Sequence, residues 1–249
     1  MPKKTHRMPR LVHDDSCVDL HTLASLMHVD RKGAGPLRAP VESHEEALVK
    51  PCTIAFVAAN PNGTGQLKLA EECRESQREL KLTPYRSDFA FEARWAVTVD
   101  ELMRCLNELD PTVIHFAGHA SARGLILEDD RGEPDPISPR AFARIISVAA
   151  PSTRLVIINS CAGLKHAQAV RGEVDAVVAM AGSITDAGAR MFAARLYGAL
   201  GNRKSVANAV AQGVARLIAA GLPDELVPRC LTRDGIDANR LVLTGPGRW

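Results

Sequence analysis

The chain has 249 residues, 46% of them hydrophobic, which suits one large domain with a sizeable core, or one domain with a tail. A formal net charge of +2 at pH 7 gives no global electrostatic reason to bind nucleic acid or a membrane, and no apolar run reaches the roughly 18 residues of a membrane span. The six cysteines show no metal-ligand spacing, and no apolar segment follows the basic amino end. We therefore expect a cytoplasmic protein, without a secretory signal, that contacts neither nucleic acid nor membrane directly.

The first fifty residues differ in character from the rest. Residues 1–50 are polar and rich in histidine, proline and charge, and only Val18–Val29 has apolar residues at helical spacing. Glycines and prolines at 33–40 then end that pattern. The segment is interpreted as a polar N-terminal arm with one marginal helix, or as a small accessory segment that docks an activator. Residues 51–249 form the predicted main domain.

From residue 51 onward, short apolar strands alternate with amphipathic helices. This alternation predicts an α/β fold with a mainly parallel sheet and helices on both faces. The predicted strands are Thr53–Ala59, Pro84–Ala93, Val113–Phe116, Leu155–Ile158, Asp175–Met180 and Arg240–Leu243. The predicted helices are Leu67–Leu82, Val99–Leu109 started by Asp100, one opened by Ser138-Pro139, one capped by Thr185 or Asp186 and ending at Leu200, and one capped by Ser205 and ending at Ala220.

A polar insertion separates the strand at Val113–Phe116 from the next helix. Residues 121–136 are rich in glycine, aspartate and proline and are predicted to form a hairpin at the edge of the sheet. The acidic run Glu128-Asp129-Asp130 is interpreted as the polarity of a hairpin turn rather than as a metal or acid–base site. The acidic pair Glu71-Glu72, in the helix predicted at Leu67–Leu82, is likewise interpreted as solvated charge.

A histidine and a cysteine follow the ends of two strands. His119 comes after Val113–Phe116, and Cys161 comes after Leu155–Ile158. Neighbouring parallel strands bring their carboxyl ends to a common edge, where ligands bind. The layout therefore predicts that the imidazole and the thiol meet. An imidazole can take the proton of a thiol and later deliver it to a leaving amine.

A second histidine, His115, raises the question of a metal pair with His119. Two histidines four residues apart share a face on a helix, but on a strand they lie about 13 Å apart. Since the surrounding residues favour a strand, we expect no shared zinc. His115 is interpreted as a core-packed, hydrogen-bonded histidine.

This stretch resembles the caspase-like cysteine peptidases, and within them the bacterial CHAT domains. The resemblance is carried by His-Phe-Ala-Gly-His at 115–119, Gly-Leu-Ile-Leu-Glu-Asp at 124–129 and Asn-Ser-Cys-Ala-Gly at 159–163, with support at 55–61 and 196–200. It covers about Cys52 to Thr244. It implies a three-layer sandwich around a mostly parallel six-stranded sheet whose last strand is antiparallel.

The resemblance also implies roles for particular residues. Cys161 would be the nucleophile and His119 the base, and the N–H groups of Cys161 and Ala120 would form the oxyanion hole. Most relatives have glycine at the position of Ala120, and this departure raises the possibility of a degenerate enzyme.

The pocket for the substrate residue before the cut is likewise implied by resemblance. The position two before the cysteine, here Asn159, lines that pocket in the resembling families. Asn159 is neutral, and the nearest candidate for a charge is Asp186, whose alternative role is to cap a helix. In caspases, an arginine in the turn equivalent to Gly182–Ala187 selects a substrate aspartate. Because this turn contains no arginine here, cleavage after aspartate is expected to be disfavoured, and a basic or uncharged residue is expected before the scissile bond.

The leading hypothesis is a cysteine endopeptidase that cleaves a protein partner without metal or cofactor. By resemblance it would be a regulated effector of a bacterial defence or programmed-death system, switched on by a protein activator or sensor. The alternative is a catalytically inactive caspase-fold module that binds partners, favoured by Ala120 and by the lack of a visible third residue that orients His119. A nucleotide-binding domain is a further alternative. It rests on the turn Asn60–Lys68, which matches neither GxGxxG nor GxxxxGK[ST] and is better explained as a tight turn.

Overall fold

The computed structural model describes residues 50–121, 123–161, 163–222 and 228–245. The Val18–Val29 helix lies outside these ranges. The described residues all belong to one compact unit of the chain. Its strands are β1 Cys52–Ala59, β2 Phe89–Trp95, β3 Val113–Gly118, β4 Leu125–Glu128, β5 Pro134–Ile137, β6 Leu155–Asn159, β7 Ala176–Met180 and β8 Pro228–Thr232. Its α-helices are α1 Leu69–Lys81, α2 Val99–Leu109, α3 Pro139–Ala149, α4 Leu164–Val170, α5 Asp186–Leu200 and α6 Val206–Ala219.

A six-stranded sheet in the order β2-β1-β3-β6-β7-β8 forms the centre of the molecule. All neighbouring pairs are parallel except β7 and β8, which run antiparallel. Strands β1, β3, β6 and β7 are buried along their whole length, as expected for parallel strands covered on both faces. The predicted fold class, including the antiparallel last strand, is confirmed.

Successive side chains along each strand point to opposite faces of the sheet, so the central strands present apolar side chains on both faces. Helices cover both of these faces. On one face, Val57, Phe116 and Ile158 pack against α2, α3 and α4. On the other face, Ile54 and Ile157 pack against α5 and α6, and α1 lies beside α5 and packs on Phe56. The result is a three-layer sandwich.

The predicted insertion forms the β4–β5 hairpin, and its apolar residues join the core. Leu125 and Leu127 are fully buried, and Ile137 is almost so. Asp129 closes the turn by accepting hydrogen bonds from the N–H groups of Arg131 and Glu133, both at 2.8 Å. The hairpin is therefore anchored in the core while its tip stays at the surface.

Several predicted boundaries are wrong. Strand β2 begins at Phe89 rather than Pro84 because a 3₁₀ turn occupies Arg86–Asp88. Helix α2 is capped by Thr98, which forms a capping box with Glu101, so Asp100 is not its start. Helix α4 was missed.

The predicted last strand, Arg240–Leu243, is also wrong, because the last strand of the sheet is β8. The alternation that suggested a strand arises because Leu241 and Leu243 are buried in the core without pairing.

Candidate active site

The register of β3 against β6 sets the positions of the two reactive side chains. Ala117 on β3 pairs with Asn159 on β6. His119 and Cys161 each follow two residues later, so they leave the sheet side by side at its carboxyl edge. Gly118 permits this exit, because a Cβ at that position would lie 2.7 Å from the carbonyl oxygen of Ala59.

A cavity of about 130 Å³ opens at this edge. Cys161 is exposed there. The residues that the sequence singles out all line the cavity: His119, Ala120, Asn159, Cys161 and Asp186. The structure therefore brings together the residues predicted to act in catalysis, in the oxyanion hole and in the substrate pocket.

The loop after β1 supplies a group that orients His119. His119 Nε2 lies 2.6 Å from the carbonyl oxygen of Gly65. Since a carbonyl only accepts, Nε2 carries the proton and donates it, which leaves Nδ1 of a neutral imidazole free to accept. The sequence analysis missed this group, because a backbone carbonyl leaves no signature in the choice of side chain.

The hairpin sets the backbone after His119. The carbonyl of His119 accepts from the N–H of Ile126 at 2.9 Å, and the N–H of Ser121 donates to the carbonyl of Gly124 at 2.8 Å. In such an antiparallel pair the residue between, Ala120, directs its N–H away from the hairpin. Ala120 is not among the described non-glycine residues with positive φ, so this conformation does not require glycine.

A buried polar network lies beside the cavity. Asn159 Nδ2 donates to Glu72 Oε1 at 2.7 Å and to the carbonyl of Ala189 at 3.2 Å. The same Glu72 oxygen lies 3.0 Å from His115 Nε2, and His115 Nδ1 lies 3.0 Å from the hydroxyl of Tyr197. His115 is fully buried, so its prediction as a core-packed, hydrogen-bonded histidine is confirmed.

Tyr197 takes part in this network as a neutral hydroxyl. Burial, with a smaller contribution from Glu72, raises the pKa of Tyr197 well above its ordinary value. Its hydroxyl therefore keeps its proton and can either donate to His115 Nδ1 or accept from it, according to the tautomer of His115.

Asp186 lies at the cavity rim but is not the cap of α5. Thr185 is the N-cap, and its side chain accepts from the N–H of Gly188. The Asp186 carboxylate instead accepts from the backbone N–H of Lys68 at 3.0 Å and lies 3.7 Å from Arg190 Nε. The helix-capping interpretation of Asp186 is therefore wrong, and its carboxylate joins α5 to the loop before α1.

Other described cysteines have surroundings unlike those of Cys161. Cys73 and Cys105 are buried in helices, and burial raises the pKa of both thiols. Within the described ranges, no cluster of three or more His, Cys, Asp or Glu side chains could hold a metal ion. None of the helices in the same part of the chain is long and apolar enough to cross a membrane.

Several N–H groups of the turn after β1 are already paired within the protein. The N–H of Asn62 donates to the carbonyl of Gly132 at 2.8 Å, and the N–H of Leu67 donates to the side chain of Asn60 at 3.3 Å. Helix α1 also begins with Glu71 and Glu72 in its first turn, where their charge opposes a bound anion. This agrees with the interpretation of a tight turn.

Comparison with known proteins gives a family. The model of the CHAT domain family matches residues 22–225, a range that begins within the segment predicted to be an accessory arm. A Roc-COR-CHAT protease from an unknown prokaryotic organism is 24% identical over 161 residues, which are 61% of this chain and 15% of the relative. The chain thus spans a small part of that relative's length.

Solved structures show a similar fold. A secreted C11 cysteine protease from Bacteroides thetaiotaomicron, in complex with an irreversible peptide inhibitor, matches with a TM-score of 0.54 at 11% identity over 72% of this chain and 65% of that one. Caspase-1 from Spodoptera frugiperda matches with a TM-score of 0.48 at 10% identity, over 74% of this chain and 87% of that one.

Proposed function

This chain belongs to the CHAT domain family, and on that premise we propose that it is a cysteine endopeptidase of caspase-like fold that cleaves a protein partner. The Roc-COR-CHAT relative is a protease, and the structural neighbour from Bacteroides thetaiotaomicron is a cysteine protease. The observation that carries the proposal is the arrangement of His119. It lines the same cavity as the exposed Cys161, and its Nε2 donates a hydrogen bond to the carbonyl of Gly65. Its Nδ1 therefore remains free to accept the thiol proton.

The proposed reaction begins with transfer of the thiol proton of Cys161 to His119 Nδ1. The sulfur attacks the scissile carbonyl carbon, and the N–H groups of Cys161 and Ala120 bind the resulting oxyanion. His119 then gives its proton to the departing amine as the C–N bond breaks. Water attacks the acyl-enzyme with His119 as base, which releases the acid product and restores the thiol.

The carbonyl of Gly65 counts against the inactive-module alternative, which was favoured in part by the lack of a visible residue that orients His119. A catalytic base needs a group that fixes its tautomer, and side chains usually provide it. Here the backbone supplies that group. The geometry of Ala120, with an ordinary φ and an N–H directed away from the hairpin, supports an oxyanion hole without glycine.

The partners belong to the same proposal. We expect a protein substrate, with a basic or uncharged residue before the scissile bond, and control by a protein activator or sensor in a bacterial defence or programmed-death system. The Roc-COR-CHAT relative, in which the matched region is a small part of the whole, supports a peptidase domain joined to other parts. The cysteine pattern supports a reducing cytoplasm.

The test compares the wild-type chain with Cys161→Ala and His119→Ala on a proteome-derived peptide library read by mass spectrometry. Each variant should lose cleavage while keeping its melting temperature, because both side chains lie at the rim rather than in the core. Cys230→Ala, which removes a half-buried thiol on β8, is the matched control and should cleave like the wild type.

Turnover that survives Cys161→Ala would refute the peptidase proposal. Absence of any cleavage by the wild-type chain, together with saturable binding of the same peptides, would favour the partner-binding module instead.

A further inference from the structure

The carboxamide of Asn159 has a fixed orientation. Both contacts of its Nδ2, Glu72 Oε1 and the carbonyl of Ala189, are acceptors. An amide turned by 180° would place its oxygen against both of them, so the nitrogen must face them. Both N–H groups of the amide are thereby committed inside the protein.

The oxygen of the same amide has no donor. Asn159 is 5% exposed and lines the cavity, and its Oδ1 is buried without a hydrogen-bond partner among the described residues. Buried carbonyl oxygens are nearly always paired, so one that is unpaired beside a cavity requires an explanation. A bound substrate group that donates a hydrogen bond would provide one.

Glu72 is the residue that holds this arrangement in place. It is 2% exposed, and its Oε1 accepts from Asn159 while facing Nε2 of the fully buried His115. His115 is fixed in turn by the hydroxyl of Tyr197 and by an edge contact with the ring of Phe56. The Glu72 carboxylate therefore lies between the Asn159 amide and the His115 imidazole.

The rest of the cavity also favours a donor. No lysine or arginine is among its described lining residues. Asp186 adds a carboxylate at the rim, and the buried hydroxyl of Ser160, without a partner among the described residues, can accept as well as donate. Leu67 and Ile184 supply apolar contacts for the stem of a long side chain.

We propose that Glu72 is a positioning residue of the specificity pocket: it fixes Asn159 so that Oδ1 faces the substrate as an acceptor. The pocket then selects an arginine or lysine side chain before the scissile bond. This inference rests on the proposed peptidase function, which it deepens by naming the substrate class and a residue outside the predicted site.

The test uses two pairs of peptide substrates that differ in hydrogen bonding at the residue before the cut. Arginine is compared with norleucine, which has the stem without the donors, and glutamine with glutamate, which has the same shape without the N–H. One hydrogen bond to a charged donor corresponds to about a 10- to 100-fold preference in kcat/KM. We expect the wild-type chain to favour arginine over norleucine by this factor, and glutamine over glutamate by at least about 2- to 10-fold, since a neutral donor makes a weaker hydrogen bond.

Variants of Glu72 separate positioning from general stability. Glu72→Leu removes the shorter of the two hydrogen bonds that orient Asn159 and leaves only the longer one to Ala189, so the amide is held less firmly and the preference should fall at least about tenfold. Glu72→Gln keeps an oxygen that can accept the same hydrogen bonds and should retain the preference. Glu75→Leu, a half-exposed position on the same helix, is the matched control and should behave like the wild type. A merely structural loss would lower kcat/KM for all substrates equally and leave the ratio unchanged.

The outcomes decide the inference. An unchanged ratio in a folded Glu72→Leu variant would overturn it, as would equal loss of the ratio in Glu72→Gln, since charge rather than amide orientation would then matter. If Glu72→Leu does not fold, Asn159→Leu removes the acceptor directly and should abolish the same preference; a retained preference would overturn the inference.

A binding measurement keeps this test independent of turnover. In a Cys161→Ala background, tetrapeptide amide libraries with arginine or norleucine at the last position are titrated by calorimetry. Tighter binding of the arginine library, lost on adding Glu72→Leu, supports the inference even if no peptide is cleaved. Equal binding of the two libraries would overturn it while leaving the peptidase proposal to its own test.

Discussion

The substitution Gly124→Ala tests whether the hairpin positions the proposed oxyanion hole. Gly124 has a φ of +158°, and a Cβ there would lie 1.8 Å from the carbonyl oxygen of Ile137 and 2.5 Å from its carbon. Both are backbone atoms, so no side-chain rotation can relieve the overlap. The chain around Gly124 must move instead.

The size of that movement follows from the contacts on either side. Leu125, Leu127 and Ile137 anchor the hairpin in the core, and burial of each contributes about 1.5–3 kcal/mol, so the hairpin stays docked. The clash is then relieved locally, as the Cβ and the oxygen separate from 1.8 to 3.0 Å, a shift of about 1.2 Å. The hydrogen bond from Ser121 N–H to the Gly124 carbonyl transmits this shift toward Ala120.

A displacement of about 1 Å at a catalytic group costs roughly 10²-fold in rate, and loss of one oxyanion donor costs about 10²–10³-fold. We therefore expect kcat of Gly124→Ala to fall about 100-fold, with KM nearly unchanged because Asn159 and Asp186, the residues of the proposed specificity pocket, lie on β6 and α5 rather than on the hairpin. Steady-state kinetics on a cleaved peptide measures both, and thermal melting checks the fold.

Gly172→Ala is the matched control for this experiment. A Cβ at Gly172 would meet nothing within 4 Å, so its kcat should equal that of the wild type. If Gly124→Ala folds and keeps kcat within about threefold of the wild type, the hairpin does not position the Ala120 N–H, and the reasoning is wrong.

Further measurements test other parts of the structure. Iodoacetamide should label the exposed Cys161 well before Cys73 or Cys105, whose pKa values are raised by burial; equal rates in peptide mass spectra would contradict this. His115→Leu should lower the free energy of unfolding by about 1–3 kcal/mol, because the buried hydroxyl of Tyr197 loses its hydrogen bond and the buried Glu72 loses the imidazole beside it. A loss below about 1 kcal/mol in urea denaturation would show that those partners do not depend on it. Backbone hydrogen bonds lower the pKa of Asp129 below its ordinary value of 3.8, so its contribution to hairpin stability is complete above that value and is lost as the pH falls through the folded-state pKa. The melting temperature of the wild type relative to Asp129→Ala should decline only in that acid range; a difference independent of pH would exclude this ionisation.

The sequence determined the sheet and the place of the site on it. Continuous apolar runs such as Val113–Phe116 and Leu155–Ile158 can be satisfied only by burial on both faces, which predicts parallel strands between helices. The site followed because His119 and Cys161 come directly after those runs, and parallel neighbours end at one edge. Strands without such runs were less predictable: β2 was placed too early and β8 was missed.

Tertiary structure alone decided which groups control the reactive side chains. The carbonyl that orients His119 belongs to Gly65, 54 residues away, and a backbone acceptor is present in every residue, so no pattern of side chains marks it. Glu72 appeared as one of two adjacent acidic residues in an amphipathic helix, a pattern typical of solvent-exposed charge. Its burial depends on how α1 rotates against α5 and the sheet, where it meets Asn159 and His115. Such partners are fixed by packing over long sequence separations, which the chemistry of the residues alone does not specify.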